Sequence, residues 1–136
     1  MKSAFITGAA TGIGEGLVLK LHAEGWRVYA GFRSAAPETT RWHGLPNIVA
    51  LRCDVQSIED IKCAVDCITA EEGQLDLLIN NAGYPGNSGV IEAADINDYR
   101  KTFEINFWGP LSVAQAFMPL LRQAKGRVIN TTSASV

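Results

Sequence analysis

A chain of 136 residues that is 47% hydrophobic and 19% charged has the composition of a folded globular protein, not of a disordered or fibrous one. Its net charge of −2, with Lys and Arg scattered along the chain, excludes the clustered basic footprint of a nucleic-acid binder. No apolar run reaches the roughly 20 residues of a membrane span, and Met1-Lys2-Ser3 passes directly into a strand-like run, so neither signal peptide nor anchor is expected and the setting reads as cytoplasmic.

In chain order, short apolar runs alternate with longer amphipathic ones. Ala4-Phe5-Ile6 is the first strand, and a glycine-rich segment from Thr7 to Gly14 leads into a helix near Gly14 to Ala23, where Leu17, Val18 and Leu21 recur at helical spacing. Val28-Tyr29-Ala30 is the second strand. The connection from Ser34 to Asn47 carries Pro37, Gly44 and Pro46, which allow one short helix at most. Ile48-Val49-Ala50-Leu51 is a third strand, followed by a helix over Ile58 to Glu72 capped by Ser57 with Asp60. Leu77-Leu78-Ile79 is a fourth strand. A long helix over Asn97 to Ala124 then follows a cap formed by Asp95 with Asp98, and Val128-Ile129 is a fifth strand.

The order is β-α-β, repeated. Runs that are continuously apolar imply burial on both faces, hence a parallel sheet with helices on each side, and right-handed crossovers make it a doubly wound α/β sheet. No composition shift marks a second domain, so residues 1–136 are expected to form one domain, left unfinished after the fifth strand. The three cysteines, Cys53, Cys63 and Cys67, are an odd number without a disulfide framework, which fits a reduced compartment. Cys63 and Cys67 lie one helical turn apart, but a metal site would need two further ligands that only His22 and His43 offer; buried structural thiols and no metal are expected.

The segment Thr7-Gly8-Ala9-Ala10-Thr11-Gly12-Ile13-Gly14 joins a strand to a helix. Gly8 permits a tight turn with positive φ, Gly12 lets backbone approach a pyrophosphate, and Gly14 lets the helix sit close to the strand. The helix N-terminus adds free N–H groups and a partial positive charge, so phosphate is the natural guest. Glycines at such a turn also occur for geometry alone, and the pattern by itself is weak.

The spacing Gly-x-x-x-Gly-x-Gly resembles the fingerprint of the short-chain dehydrogenase/reductase family. Asn80-Asn81-Ala82-Gly83 at the end of the fourth strand is similar to that family's Asn-Asn-Ala-Gly motif, and Asp54-Val55 at the end of the third is similar to its adenine-contacting pair. The resemblance implies a Rossmann-like sheet of strand order 3-2-1-4-5, with the cofactor across the strand carboxyl ends at the switch point. Gly8, Ala9, Ala10, Thr11, Gly12, Ile13 and Gly14 would then hold pyrophosphate. Asp54 would accept from the adenine amino group and the Val55 N–H would donate to the ring, while Asn81, Ala82 and Gly83 would approach ribose and nicotinamide. Without the resemblance, Asp54 is a polar strand end and Asn81 to Gly83 a turn.

NAD-preferring sites carry Asp or Glu at the end of the second strand to hold the ribose 2′-hydroxyl. Phe32 stands there and Arg33 follows, a guanidinium suited to a 2′-phosphate, so NADP(H) is favoured with NAD(H) still open; stacking on adenine or pointing to solvent are the other fates of Arg33.

The fifth strand, Gly126 to Ser133, resembles the one that ends in the family's catalytic serine, and alignment on Asn130 puts that role on Ser133, with Thr132 and Ser135 as alternatives by a slip of register. Asn106 lies in a segment similar to the family's active-site Asn. Pro110 has no N–H, so the carbonyl of residue 106 loses its helical partner; in the family that carbonyl holds a water of a proton relay, and otherwise it marks a solvated kink. The family's Tyr with a Lys four residues on is missing: Tyr29 precedes Arg33, Tyr84 precedes Ser88 and Tyr99 precedes Phe103. The chain therefore reads either as the cofactor-binding portion of a carbonyl reductase or alcohol dehydrogenase, inactive as it stands, or as a non-catalytic dinucleotide-binding module such as a sensor or scaffold. The first implies a small-molecule carbonyl or alcohol substrate with one wall from the loop Tyr84 to Ile91, no nucleic-acid or membrane partner, and a homo-oligomer, dimer or tetramer, at full length.

Overall fold

The computed structural model describes residues 1–34, 37–87 and 89–133. Its strands are β1 (Ser3–Ile6), β2 (Arg27–Phe32), β3 (Ile48–Arg52), β4 (Leu77–Asn80) and β5 (Arg127–Asn130); its helices are α1 (Gly12–Ala23), α2 (Ile58–Glu72), α3 (Ile96–Phe103) and α4 (Gly109–Ala124). The sheet order is β3-β2-β1-β4-β5 and every pairing is parallel, the Rossmann-like arrangement.

Alternate residues of a strand face opposite sides, which divides the interior into two cores. Phe5, Tyr29 and Leu78 point to one side and meet Ile61, Ala64 and Ile68 of α2 with Val113, Phe117 and Leu121 of α4. Ala4, Ile6, Val28, Ala30, Leu77 and Ile79 point to the other and meet Val18 of α1 and Trp42. β1 and β4 are buried at every position, as continuous apolar runs require. The expectation of burial on both faces fails at the sheet edges. β3 is only half-buried, and β5 is exposed throughout, with Val128 at 38% and Ile129 at 47%, because an edge strand has one neighbour and no described element covers it.

Polar contacts tie the ends of helices to the sheet. The buried Tyr29 hydroxyl lies 2.6 Å from Glu71 Oε2 and 2.8 Å from Glu72 Oε1, and Arg27 donates to the same carboxylates, so the C-terminus of α2 is fastened to β2. Burial first, and then the Glu71 carboxylate, hold the Tyr29 hydroxyl well above its ordinary pKa. At the other end of α2, Ser57 Oγ accepts from the Asp60 N–H at 3.1 Å as the cap requires, while the Asp60 carboxylate reaches back to the Asp54 N–H at 2.9 Å.

Three boundaries differ from the sequence expectations. α1 begins at Gly12, two residues early, with Thr11 in extended conformation as its N-cap. The single helix over Asn97 to Ala124 is two helices joined by a π turn, Glu104–Trp108. Pro110 withholds one donor, and the Gly109 N–H reaches Glu104 O, five residues back, so the interruption widens the helix where a simple kink was expected. Asp95 caps α3 through the Asn97 N–H at 2.9 Å, and Asp98 takes other partners. The buried-thiol expectation holds for Cys53 alone; Cys63 is exposed and Cys67 half-buried, because Ile61, Ala64 and Ile68 face the core while Cys67 packs only at its margin. No helix among the described residues is long and apolar enough to cross a membrane.

Phe117 is fully buried, 5.0 Å from Phe5 between ring centroids. Phe117→Ala is expected to lower the unfolding free energy by about 3–5 kcal/mol in a urea titration, since a void replaces the ring at the joint between α4 and β1.

Candidate functional site

The carboxyl ends of β1, β2, β3 and β4 border an open crevice of about 510 Å³, within the size range of small-molecule sites. Of the residues expected to hold a cofactor, Gly8, Ala10, Thr11, Gly12, Ile13, Arg33, Asp54, Val55, Asn81, Ala82 and Gly83 line it. Ala9 and Gly14 do not; they lie beneath it as packing.

The glycine turn is shaped by close approach. Gly8 has φ +61°, and a Cβ there would stand 2.8 Å from Ala82 Cα, so both conformation and contact demand glycine. A Cβ on Gly14 would meet Gly8 O at 2.0 Å and Asn81 Nδ2 at 2.6 Å, so this glycine lets the helix approach the turn itself and the end of β4, a closer fit than packing on the strand. Gly12, with φ +53°, faces open space. Thr11 makes no side-chain cap, so the first N–H groups of α1 open onto the crevice with the positive end of the helix dipole behind them. That combination receives anions.

Side chains missed in the sequence hold this junction together. The buried Thr7 hydroxyl accepts from the N–H groups of Asn81 and Ala82, both at 3.0 Å. Asn81 Nδ2 donates to Gly8 O at 3.2 Å, and its Oδ1 accepts from Thr131 Oγ1 at 3.2 Å. Thr7 and Thr131 each directly follow a strand, a position where a hydroxyl meets neighbouring backbone; that was the available signal. Asp54 Oδ1 accepts from the Gln56 N–H at 2.9 Å, as a polar strand end does, and the residue lines the crevice. The Val55 N–H makes no hydrogen bond with another described residue. Arg33 is exposed at the crevice wall. Cys53 also lines it, but burial, with the Asp60 and Asp54 carboxylates, pushes its thiol up to about 12, so it is an inert neutral group.

A second cavity adjoins the first, sharing Ile13, Asn81, Ala82, Gly83, Tyr84 and Thr131, and reaches Asn106, Thr132 and Ser133. Ser133 and its alternative Thr132 both border it, and Ser135 lies outside the described residues. Asn106 sits in the π turn, where its amide clamps the Tyr84 backbone: Oδ1 accepts from the Tyr84 N–H at 2.7 Å and Nδ2 donates to Tyr84 O at 2.8 Å. The sequence had singled out its carbonyl and not this side-chain contact. The Tyr84 hydroxyl donates to Asp98 Oδ1 at 2.6 Å, the Asn87 N–H donates to Asp98 Oδ2 at 2.7 Å, and Lys101 Nζ lies 4.4 Å from the Tyr84 ring centroid. The start of the loop is thus fastened to α3. Among the described residues no three His, Cys, Asp or Glu side chains are grouped as metal ligands.

Residues 2–136 match a family model described as short chain dehydrogenase. Curated relatives include "11-beta-hydroxysteroid dehydrogenase A" of Sesamum indicum, 37% identical over 98% of this chain and 40% of the relative. "Estradiol 17-beta-dehydrogenase 2" of Mus musculus is 35% identical over 97% of this chain and 36% of the relative. Among solved structures, the KRED1-Pglu enzyme superposes with a TM-score of 0.91 at 27% identity, covering 98% of this chain and 57% of that one. An alcohol dehydrogenase from Thermococcus sibiricus, complexed with 5-hydroxy-NADP, superposes at 0.89 with 28% identity, covering 98% and 58%. The chain spans less than half the length of these curated relatives.

Two expectations follow from the site's packing and charge. Gly14→Ala, forcing a methyl into Gly8 O and Asn81, is expected to destabilise by roughly 1–3 kcal/mol in urea unfolding. The Tyr84 hydroxyl, then the Asn87 N–H, hold the Asp98 carboxyl below its ordinary value. A lowered folded pKa stabilises above the unfolded value and is lost as pH falls through the folded one, so the Tyr84 contact should persist at neutral pH and release in acid below about pH 4. Near-UV circular dichroism should report that release, and Asp98→Asn should remove its pH dependence.

Proposed function

Because this chain belongs to the short-chain dehydrogenase family, we propose that it is the dinucleotide-binding portion of an oxidoreductase that interconverts an alcohol and a carbonyl compound, with NADP(H) favoured over NAD(H). One observation carries the proposal: the uncapped α1 N-terminus, Asp54 with the Val55 N–H, and the Asn81 to Gly83 turn all border one crevice. The residues present fit a dinucleotide. Free N–H groups and the space at Gly12 suit a pyrophosphate, and Asp54 and Val55 offer the acceptor and donor an adenine edge needs. Phe32 and the exposed Arg33 stand where a ribose-binding carboxylate would favour NAD(H), which supports NADP(H). When bound, the nicotinamide supplies the hydride acceptor or donor.

Within the second cavity, Ser133 is assigned to orienting and polarising the substrate carbonyl. The Asn106 carbonyl, relieved of its helical partner by Pro110, is assigned to holding a water, while the Asn106 amide keeps Tyr84 at the junction of the two cavities. The chain holds no Tyr with a Lys four residues on. Tyr84 with Lys101 above its ring does not replace that pair, because the Asp98 carboxylate holds the Tyr84 hydroxyl above its ordinary pKa and ties up its proton. We assign the proton donor to a longer protein that carries this chain, and propose that such a protein is a homo-oligomer.

The test is NADPH consumption by that longer protein with a panel of aldehydes and ketones. Turnover is expected with a preference for NADPH, and Arg33→Asp should weaken NADPH roughly tenfold or more, as loss of charge-assisted hydrogen bonds implies. Equal efficiency with NADH in the unmodified enzyme overturns the cofactor preference. Tight cofactor binding without turnover on any carbonyl would favour the non-catalytic module.

A further inference from the structure

Trp42 lies outside every motif used above, in the connection between β2 and β3. It is 2% exposed, packed in the core formed with α1, and its indole Nε1–H donates to Ala9 O at 2.8 Å. Ala9 is fixed from the other side as well, its N–H donating to Gly31 O at 2.7 Å. A trans peptide is planar, with its C=O and the following N–H on opposite sides. With the Ala9 oxygen turned into the buried indole, the Ala10 N–H is turned the other way. Ala10 borders the crevice, whereas Ala9 is fully buried.

A second anchor fixes the same segment to the first turn of α1. Glu15, in the first turn of α1, accepts from the Arg41 N–H and from Arg41 Nε, both at 2.9 Å. The Glu15 carboxylate therefore faces Arg41, and its charge near the helix N-terminus is balanced.

We propose that Trp42 is a positioning residue for the phosphate-binding turn: its indole N–H sequesters the Ala9 carbonyl, so that the Ala10 N–H, and not a carbonyl oxygen, faces the pyrophosphate of the cofactor. The inference rests on the dinucleotide-binding function proposed above and adds a residue of the β2–β3 connection to it. Without the indole donor, the Ala9 oxygen either stays buried and unpaired or rotates toward the crevice, where its partial negative charge opposes the ligand.

The test is calorimetric titration of the chain with NADPH and with 2′-AMP, which carries the 2′-phosphate but no pyrophosphate. Trp42→Phe keeps an aromatic ring and removes the N–H. It is expected to weaken NADPH about tenfold, the loss of roughly one hydrogen bond, and to leave 2′-AMP unchanged. Unchanged NADPH affinity in Trp42→Phe, or equal weakening of both ligands as a general loosening would produce, overturns the inference and leaves the proposed function standing. Failure of the unmodified chain to bind NADPH overturns the proposed function itself. Should Trp42→Phe not fold by far-UV circular dichroism, Trp42→3-benzothienylalanine, a bicyclic isostere that keeps the volume of the indole and replaces its N–H by sulfur, carries the test. It is expected to weaken NADPH about tenfold with 2′-AMP unchanged, as loss of the same single donor implies, and unchanged NADPH there overturns the inference.

Discussion

The site depends on how closely three pieces of backbone meet at the carboxyl ends of β1 and β4. The turn at Gly8, the first turn of α1 at Gly14 and the stretch Asn81 to Ala82 approach to distances that leave no room for a Cβ at either glycine. Backbone this close is tolerable only if its polar groups find partners, and they do. Thr7 Oγ1 takes two N–H groups from the end of β4, and Asn81 Nδ2 takes the Gly8 carbonyl. Among the described residues, the N–H groups at the start of α1 and the Val55 N–H are left without a hydrogen-bond partner at the crevice, and Asn80 Oδ1 stays unpaired beneath it. Internal satisfaction of the turn thus leaves N–H groups pointing at the crevice, the arrangement on which the proposed anion site rests.

The same economy governs the far wall. The π turn Glu104–Trp108 brings Asn106 to the Tyr84 peptide, and Gly109, where a Cβ would stand 2.7 Å from Val55 Cγ2, lets that helix press against Val55 in the crevice wall. One irregular helical turn therefore touches both cavities. A regular helix would rotate Asn106 away from Tyr84 by the angular difference between a four- and a five-residue repeat. Membership of the short-chain dehydrogenase family accounts for the presence of these parts. Their packing accounts for why each residue type is required.

Much of the fold was legible because each core strand is an apolar run between turn residues. All five strands and the helix Ile58–Glu72 lie where periodicity puts them, and parallel order followed from strands too apolar for one wet face. Periodicity was blind to the edges, since Val128 and Ile129 are as apolar as Leu78 yet exposed; burial depends on neighbours, not on the residue. It was equally blind to the π turn, because Pro110 announces a missing hydrogen bond without saying how the helix absorbs it. The exposure of Cys63 turned on which side of α2 met the sheet, a question of a fraction of a turn.

At the site, residues marked by glycine spacing or by a strand end were readable, and the partners their side chains would find were not. Glycine spacing and strand-end position are local properties, so Gly8, Gly12, Gly14, Asp54 and Asn81 stood out in the chain itself. The contacts of Thr7 with Asn81, Trp42 with Ala9, and Asp98 with Tyr84 join residues 74, 33 and 14 positions apart. Local sequence determined where the chain turns and which backbone groups are left open. Only tertiary packing decided which side chains close the others, because such pairs exist only once the sheet has brought distant segments within hydrogen-bond reach.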